Sequence, residues 1–216
     1  MVKAKRAAEQ ASDGETKGNR ALRRTFDRQA GVAVAKELFH ERGFDAVGVA
    51  ELTRALDINP PSLYAAYGSK AGLFERCLAM YVEEENLQAD RILVAGRPLH
   101  EAVSELFVRA TELYTRSQTH CGCMVAEGMR ADDEQARSFA KVHGDAAAAF
   151  IECFIAQSEP EHASVLADYV VITLRGLSSS ARVGMDRPRL LLAAELAGQA
   201  FQALLLLQRD QKNESD

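Results

Sequence analysis

The chain has 216 residues, of which 47% are hydrophobic and 26% charged, with five prolines and no tryptophan. This composition is that of a folded protein long enough for a small domain and a larger one, each with its own core. The formal net charge of −5 excludes a uniformly basic nucleic-acid-binding protein but leaves room for a basic domain on an acidic chain.

The charges are divided unevenly along the chain. Residues 1–76 contain 13 Lys and Arg against 10 Asp and Glu, whereas residues 77–216 contain 13 against 21. A basic end on an acidic body is expected when only one end contacts phosphates, although chance scatter of surface charge is the plain alternative.

The N-terminal segment carries no export signal, because Met1-Val-Lys-Ala-Lys-Arg is not followed by an apolar run of about seven residues. Residues 1–19, rich in Ala, Gly, Lys, Glu and Ser, are predicted to form a disordered basic tail. With four scattered cysteines and no export signal, the chain is predicted to be cytoplasmic with reduced thiols.

The first predicted helix runs from about residue 22 to residue 41 and ends at Gly43. Arg20, Arg23 and Arg24 crowd its start. Such an arm suits the minor groove of DNA, and a solvated basic tail is an equally weighted alternative.

Residues 44–74 predict two short helices joined by a tight turn, followed by the start of a third. Val49, Leu52 and Leu56 lie at i, i+3 and i+7 and give the first helix an apolar stripe. Asn59 suits the cap of the second helix, with Pro60 at its first position and Gly68 after its end, and Ser69 suits the cap of the third. The arrangement is typical of a helix-turn-helix, which presents one helix to the major groove. A buried helical hairpin is the alternative, and it is disfavoured by two tyrosines, a serine and two prolines in so short a helix.

Six further helices are predicted, at about residues 70–93, 99–116, 124–131, 133–156, 160–183 and 188–208. The chain is thus expected to be all-α with about nine helices, the first three forming a compact DNA-binding head. The apolar stretch 190–207 is long enough to test as a membrane span, but Glu195, Gln199 and Gln202 place a polar stripe on it. A soluble helix, and no membrane partner, is therefore predicted.

The last two helices are predicted to form a homodimer. Leu190, Ala194, Ala197, Phe201 and Leu204 make one apolar stripe, and Ile172 and Leu177 add apolar surface on the preceding helix. A stripe this wide would invite aggregation if exposed, whereas pairing two copies into a four-helix bundle would bury it. Packing wholly inside its own chain is the alternative.

His120-Cys121-Gly122-Cys123 is the one chemically sharp cluster outside the head. Two thiols beside an imidazole suit a soft metal or an oxidation switch. The C-x-C spacing alone is a weak signal, so buried structural cysteines are favoured and no metal or cofactor is predicted. Cys77 is expected in the core.

The chain resembles the TetR (tetracycline-repressor-like) family of bacterial transcriptional regulators. The matching residues are Ala35, Leu38-Phe39, Arg42-Gly43-Phe44, Val49, Leu52, Ile58-Asn59, Ser62-Leu63-Tyr64, Tyr67-Gly68-Ser69-Lys70 and Leu73-Phe74. Three positions depart from the pattern: Asp57 stands where Gly is usual in the turn, and Gly31 and Gly48 replace a larger apolar residue and a Ser or Thr cap. Asp tolerates the left-handed backbone that the turn needs, so the turn is expected to survive.

The resemblance implies a DNA-binding domain at residues 20–68 and a ligand-binding and dimerisation domain at residues 69–216. Ser62, Tyr64, Tyr67 and Lys70 would contact phosphates. The remaining implied DNA contacts are a backbone contact at Gly48, the helix start at Asn59, and Pro60, Pro61 and Ala65, which could touch thymine methyls. The implied ligand pocket would draw on Tyr114, His120, Met124, Glu127, His143, Phe150 and Tyr169.

The leading hypothesis is a homodimeric repressor that leaves double-stranded operator DNA when a small-molecule inducer binds. A second is a thiol- or metal-responsive repressor of the same fold that uses Cys121 and Cys123. A third, from another class, is a helical interaction protein or an enzyme without DNA binding. Enzymatic activity has little support, because no catalytic triad, phosphate-binding loop or nucleotide fingerprint is present in the sequence.

Overall fold

The computed structural model describes residues 27–85 and 87–213. In that part of the chain all regular structure is helical, which confirms the all-α prediction. The helices are α1 Arg28–Arg42, α2 Val49–Ala55, α3 Pro60–Tyr67, α4 Lys70–Glu84, α5 Ala89–Ile92, α6 Leu99–Tyr114, α7 Met124–Gly128, α8 Glu134–Ala156, α9 Ala163–Arg182 and α10 Arg187–Asn213.

The main difference from the predicted elements is that α4 ends at Glu84 instead of continuing to residue 93, so the four-residue α5 becomes a separate helix. The run Glu83-Glu84-Glu85 lies at the C-terminal end of α4. Negative charge there opposes the helix dipole. Lys36 and Arg116 pair with Glu85 and hold it at the end of the helix.

Side chains that accept backbone N–H groups lie at the start of five of the described helices, including α10, where Asp186 accepts from Arg189 at 3.0 Å. Asp27 accepts from Gln29 at the start of α1, at 2.9 Å. Asn59, Ser69 and Asp133 do the same for α3, α4 and α8, each at 2.9 Å. Each bond satisfies one N–H that the first turn of a helix leaves without a partner. The caps predicted at Asn59 and Ser69 are thus present.

The predicted arm of Arg20, Arg23 and Arg24 lies outside the described residues.

The described residues form two hydrophobic cores that meet at Cys123 and along α8. The first joins α1–α4 to Met124 and Val125 of α7 and to the start of α8. The second joins α6, α9 and α10 to the end of α8, where Ile151, Phe154 and Ile155 are buried. The division at residue 68 stays a prediction, and the first core continues past it into α4 and α7.

Helix α10 buries one apolar face against α6 in its own chain. Leu190, Ala194 and Phe201 are at most 1% exposed. Gly198 lies so close to Ser104 that a Cβ would stand 2.5 Å from the serine hydroxyl, so glycine permits this close contact between the helices. The prediction that this stripe forms the dimer interface is therefore wrong for Leu190, Ala194 and Phe201, because α6 already covers them. Leu177 is also buried in the second core, and Ala197 is partly buried there.

A different face of α10 is exposed. Leu192, Leu196 and Leu207 are 55–59% exposed, and Ile172 on α9 is 67% exposed. The segment Arg187–Leu207 is long and apolar enough to cross a membrane by length and composition, with a mean hydropathy of 1.7. Of an 18-residue stretch of this segment 28% is buried, on the face of α10 that packs inside its own chain.

Candidate nucleic-acid interface and adjoining cavity

The turn between α2 and α3 has the backbone that the sequence predicts. Asp57 has φ of +51°, in the left-handed region. The N–H of Ile58 then donates to the carbonyl of Thr53 at 3.0 Å and closes the turn. Aspartate thus occupies the position where glycine is usual, and the two helices keep their helix-turn-helix relation.

One face of α3 is anchored in the first core and the other is open. Leu63, Ala66 and Tyr67 are buried. Six neighbouring positions are exposed to solvent: Asn59, Pro60, Pro61, Ser62, Tyr64 and Ala65. Tyr64 is 48% exposed, so its phenol is available to a partner. A single helix with one exposed face can enter the major groove of B-DNA, which is about 12 Å wide.

Tyr67 requires a correction. Its side chain is only 4% exposed, and its hydroxyl donates to the carbonyl of Arg28 at 2.9 Å. Burial raises its pKa. The prediction that Tyr67 contacts phosphate does not fit this position, because its hydroxyl ties α3 to the start of α1.

Lys70 lies half-buried at the start of α4. Its ammonium is 4.0 Å from the centroid of the Phe44 ring, a cation–π contact. Burial lowers its pKa, while Asp45 and Asp133 act in the opposite sense. The Lys70 charge therefore has partners within the protein, and its phosphate contact stays a prediction.

Two arginines lie near Tyr67: Arg28, which belongs to the basic cluster at the start of the first predicted helix, and Arg76, for which the sequence gives no signal. The Arg76 guanidinium is 5.7 Å from the Tyr67 ring centroid, and the carbonyl of Arg28 accepts the Tyr67 hydroxyl. Both arginine side chains are exposed and, among the described residues, neither pairs with a carboxylate. No motif in the sequence joins positions 28 and 76, because only the packing of α1 against α4 brings them together.

A cavity of about 330 Å³ lies between the end of α4 and helices α5–α9. Its wall is mainly aliphatic and aromatic, with Tyr114 as a buried polar residue and Asp90, His143 and Arg175 as further polar residues. Of the predicted pocket residues, Tyr114, His143 and Phe150 line this cavity. Glu127 lines a smaller neighbouring cavity of about 250 Å³ with Arg175 and Ser178.

Three predicted pocket residues lie elsewhere. Met124 is 2% exposed and belongs to the first core. Tyr169 stacks with Phe201 and donates its hydroxyl to the carbonyl of Ala197 at 3.0 Å, so it joins α9 to α10. His120 lies 3.1 Å from Glu37, so it joins the segment between α6 and α7 to α1. The sequence could not separate Met124 and Tyr169 from cavity residues, because both are large side chains on apolar helical segments.

The cysteines show no sign of a metal centre. Cys77 is fully buried and donates to the carbonyl of Val32. Cys121 donates to the carbonyl of Ser117 at 3.0 Å. Burial raises the pKa of Cys123, which makes its thiolate less available. Among the described residues no group of three metal-binding side chains converges. Cys153 is exposed, although the sequence pattern places it on an apolar face of α8.

The head is tied to the body at the C-terminal end of α1. Arg182 of α9 donates to the carbonyls of His40 and Glu41, at 2.8 and 3.2 Å. The Nε2 of His40 bonds to the carbonyl of Gly122 at 3.2 Å. Burial is the main cause that lowers the pKa of His40 from 6.5 to about 4. A cation at the end of α1 also satisfies carbonyls that the last turn leaves open.

Comparison with known proteins agrees with this geometry. Residues 32–77 match the model of bacterial regulatory proteins of the tetR family. The chain is 42% identical over 182 residues to the HTH-type transcriptional repressor BdcR of Escherichia coli (strain K12), covering 84% of this chain and 92% of BdcR. The chain belongs to the tetR family. It is a DNA-binding transcriptional regulator of the repressor type and not an enzyme.

More distant relatives extend the same result. The HTH-type transcriptional repressor ComR of Escherichia coli (strain K12) is 25% identical over 186 residues, covering 81% of this chain and 89% of ComR. A cysteine mutant of the TetR family regulator CifR, solved with 26-bp double-strand operator DNA, has a TM-score of 0.73 and 28% identity, covering 82% of this chain and 98% of CifR. Regulators of the family are soluble DNA-binding proteins.

Proposed function

We propose that this repressor acts in the cytoplasm as a homodimer that places one α3 in each of two successive major grooves of operator DNA and leaves the DNA when a small molecule fills the cavity. The exposed face of α3 carries the proposal, since six exposed positions stand on a helix whose other face is anchored in the core. The comparison with CifR supports it, because that regulator was solved on operator DNA.

The phosphate contacts are assigned to polar groups around α3. Tyr64 and Ser62 are exposed hydrogen-bonding side chains on that helix. Arg28 and Arg76 add cations near Tyr67, at the end of that helix. The backbone N–H groups beside Gly48 add donors at the start of α2. Lys70 and the arm of Arg20, Arg23 and Arg24 complete the proposed set.

Base recognition is expected to depend little on hydrogen bonds from α3. Pro60, Pro61 and Ala65 are exposed but carry no side-chain donors or acceptors. They can contact thymine methyl groups, whereas bidentate pairs with guanine or adenine need Arg, Lys, Asn or Gln. Sequence preference would then depend substantially on groove shape and DNA deformability.

The dimer interface is assigned to the exposed faces of α9 and α10. Leu192, Leu196, Ala203 and Leu207 recur at helical spacing on one side of α10, opposite the face that α6 covers. Ile172 of α9 and the half-exposed Leu204 add to the apolar surface. Two copies of this surface would form a four-helix bundle with a twofold axis, matching a palindromic operator.

The release of DNA on ligand binding is attributed to α7, which contacts both the first core and the cavity. Val125 and Met129 line the cavity and also pack against the first core. Arg182 provides a second link, from α9 to the end of α1. A ligand that shifts α7 would favour a head separation that no longer matches successive grooves, and the bound population would decrease.

The test is to select DNA from a random duplex pool with the purified chain and measure the affinity of the selected site at several salt concentrations. Tyr64→Phe should weaken binding about tenfold, for one hydrogen bond lost in each protomer, without changing the preferred sequence. Tyr67→Phe is the matched control on the same helix. It should lower thermal stability instead, because it loses the bond to the Arg28 carbonyl.

A Tyr64→Phe protein that changed sequence preference while keeping its affinity and salt slope would contradict the phosphate assignment. No enrichment of any duplex by the parent chain would contradict direct operator binding. Because phosphate contacts release counterions, binding should weaken steeply as salt increases.

A further inference from the structure

We propose that the cavity between α4 and α9 takes a neutral, largely apolar small molecule with one oxygen group, and that this oxygen hydrogen-bonds to the Tyr114 hydroxyl. The inference rests on the proposed function in one respect, namely that occupation of this cavity releases DNA. The chemistry of the ligand is argued from the cavity wall alone.

Tyr114 is the residue that points to a ligand. It is 6% exposed and lines the cavity. Within the described part of the chain its hydroxyl has no hydrogen-bond partner, although its backbone carbonyl accepts from Gly122. Buried side-chain hydroxyls nearly always have a partner, so one that lacks a protein partner beside a cavity marks the place of a ligand group.

The neighbouring polar side chains are already paired. The Tyr81 hydroxyl bonds to the Cys123 thiol and to the backbone of Met124. The backbone N–H of Cys123 donates to the Ser178 hydroxyl at 2.8 Å. The Tyr114 hydroxyl is therefore the group in this cluster that is left to bond a ligand, and a single oxygen on the ligand would satisfy it.

The surroundings of Tyr114 favour a neutral oxygen over a carboxylate. Burial raises the pKa of Tyr81, Tyr114 and Cys123, because an anion there would lose its hydration. Apart from His143 and Arg175, most of the wall near α6–α9 is apolar, including Leu106, Val125, Ile151 and Leu174. An apolar ring system carrying a ketone or a similar group fits such a wall, and a charged group does not.

Arg175 is the feature that would favour another ligand class. It is exposed, and its guanidinium lies 4.0 Å from the Met129 sulfur with no carboxylate in ion-pair range among the described residues. A carboxylate ligand would have to meet Arg175 instead of Tyr114. Tighter binding of a carboxylate than of a neutral ligand would therefore contradict the inference.

The experiment compares three probes of nearly equal shape: 2-acetylnaphthalene, 2-ethylnaphthalene and 2-naphthoate. Their affinities for the full chain are measured by calorimetry or fluorescence without DNA. The ketone is expected to bind roughly tenfold more tightly than the hydrocarbon, since one buried hydrogen bond separates them. Tyr114→Phe should remove that difference while leaving hydrocarbon binding nearly unchanged.

Tyr169→Phe is the matched control, because it also loses one phenol but lies in the second core away from the cavity. It should keep the preference for the ketone even if it lowers stability. Tighter binding of 2-naphthoate, equal binding of ketone and hydrocarbon, no binding of any probe, or a preference that survives Tyr114→Phe would each overturn the inference.

The DNA arm of the experiment separates this inference from the proposed function. Release of selected operator DNA is measured with the same probes. If the ketone binds through Tyr114 but leaves the DNA complex intact, the ligand chemistry stands and the proposed release mechanism fails. If the ketone does not bind, the inference fails whatever the DNA affinity of the parent chain.

Discussion

The region around the α2–α3 turn and helix α10 were both predicted from sequence patterns, and they show different limits of that approach. In the turn, local chemistry decides the structure: Asp57 adopts a left-handed backbone and Asn59 caps α3. In α10 an apolar stripe is predicted correctly, but the predicted partner, a second copy of the chain, is wrong for its buried residues. The face of Phe201 packs on α6 in the same chain, while Leu192 and Leu196 remain exposed. An apolar stripe in the sequence shows which residues tend to be buried, but only the tertiary structure shows which element they pack against.

The largest expected effect separates the two faces of α10. Phe201→Glu places a charge in a fully buried position beside Tyr169, and should cost about 4 kcal/mol or more in the free energy of unfolding. Leu196→Glu changes a position that is 55% exposed, and should leave each protomer folded but convert the dimer to a monomer. Thermal denaturation and light scattering distinguish these results.

If Leu196→Glu remained a dimer with unchanged operator affinity, the interface would have to lie elsewhere. If Phe201→Glu gave a stable, folded monomer, the packing of α10 on α6 would be contradicted. Leu192→Glu provides a second variant on the same exposed face, and should behave as Leu196→Glu does.

The sequence predicts most of the head and less of the body for a physical reason. Caps, a left-handed turn residue and short helices depend on neighbours within a few positions, so Asn59, Ser69 and Asp57 can be interpreted from the sequence. Side-chain neighbours across the fold cannot: Tyr67 bonds to Arg28, 39 positions away, and Tyr169 bonds to Ala197 instead of lining the cavity. The open hydroxyl of Tyr114 is visible only once the wall around it is known.

The contact between head and body should make stability depend on pH. Burial holds the pKa of His40 at about 4 in the folded chain, against 6.5 when unfolded. Between these values the unfolded chain binds a proton that the folded chain does not, so stability is lost as the pH falls from 6.5 to 4. The loss should total about 3 kcal/mol. Denaturant titrations at a series of pH values measure it.

His40→Gln is the variant that isolates this effect. Glutamine does not titrate and has an amide donor for the Gly122 carbonyl that His40 contacts. The decline of its stability between pH 6.5 and 4 should be shallower than that of the parent. Parallel curves for the two proteins would show that His40 is not the titrating group.

Removal of the Tyr114 hydroxyl should stabilise the protein in the absence of ligand. A buried hydroxyl without a protein partner costs free energy, and Tyr114→Phe removes it without changing the ring. The free energy of unfolding should rise by about 1 kcal/mol. The Tyr169 hydroxyl donates to the Ala197 carbonyl, so Tyr169→Phe should lower the free energy of unfolding by a similar amount. Equal destabilisation of both variants would indicate that the Tyr114 hydroxyl already has a partner in the protein.

The smallest expected change in stability is at Gly48, the residue immediately before α2. Its backbone is extended, with φ of −85° and ψ of 156°, and a Cβ there would have no atom within 4 Å. Its position has no side-chain cap, so Gly48→Ser can add a hydroxyl that accepts an N–H of the first turn and can reduce the freedom of the unfolded chain. Stability should rise by about 0.5 kcal/mol, measured by denaturant titration. Gly43→Ser is the contrasting control: its φ of +81° strains any side chain, so it should lower stability. If Gly48→Ser also lowered stability, the start of α2 would not have the extended, open geometry on which this prediction depends. The capping rules that account for the start of α3 would then not apply to the start of α2.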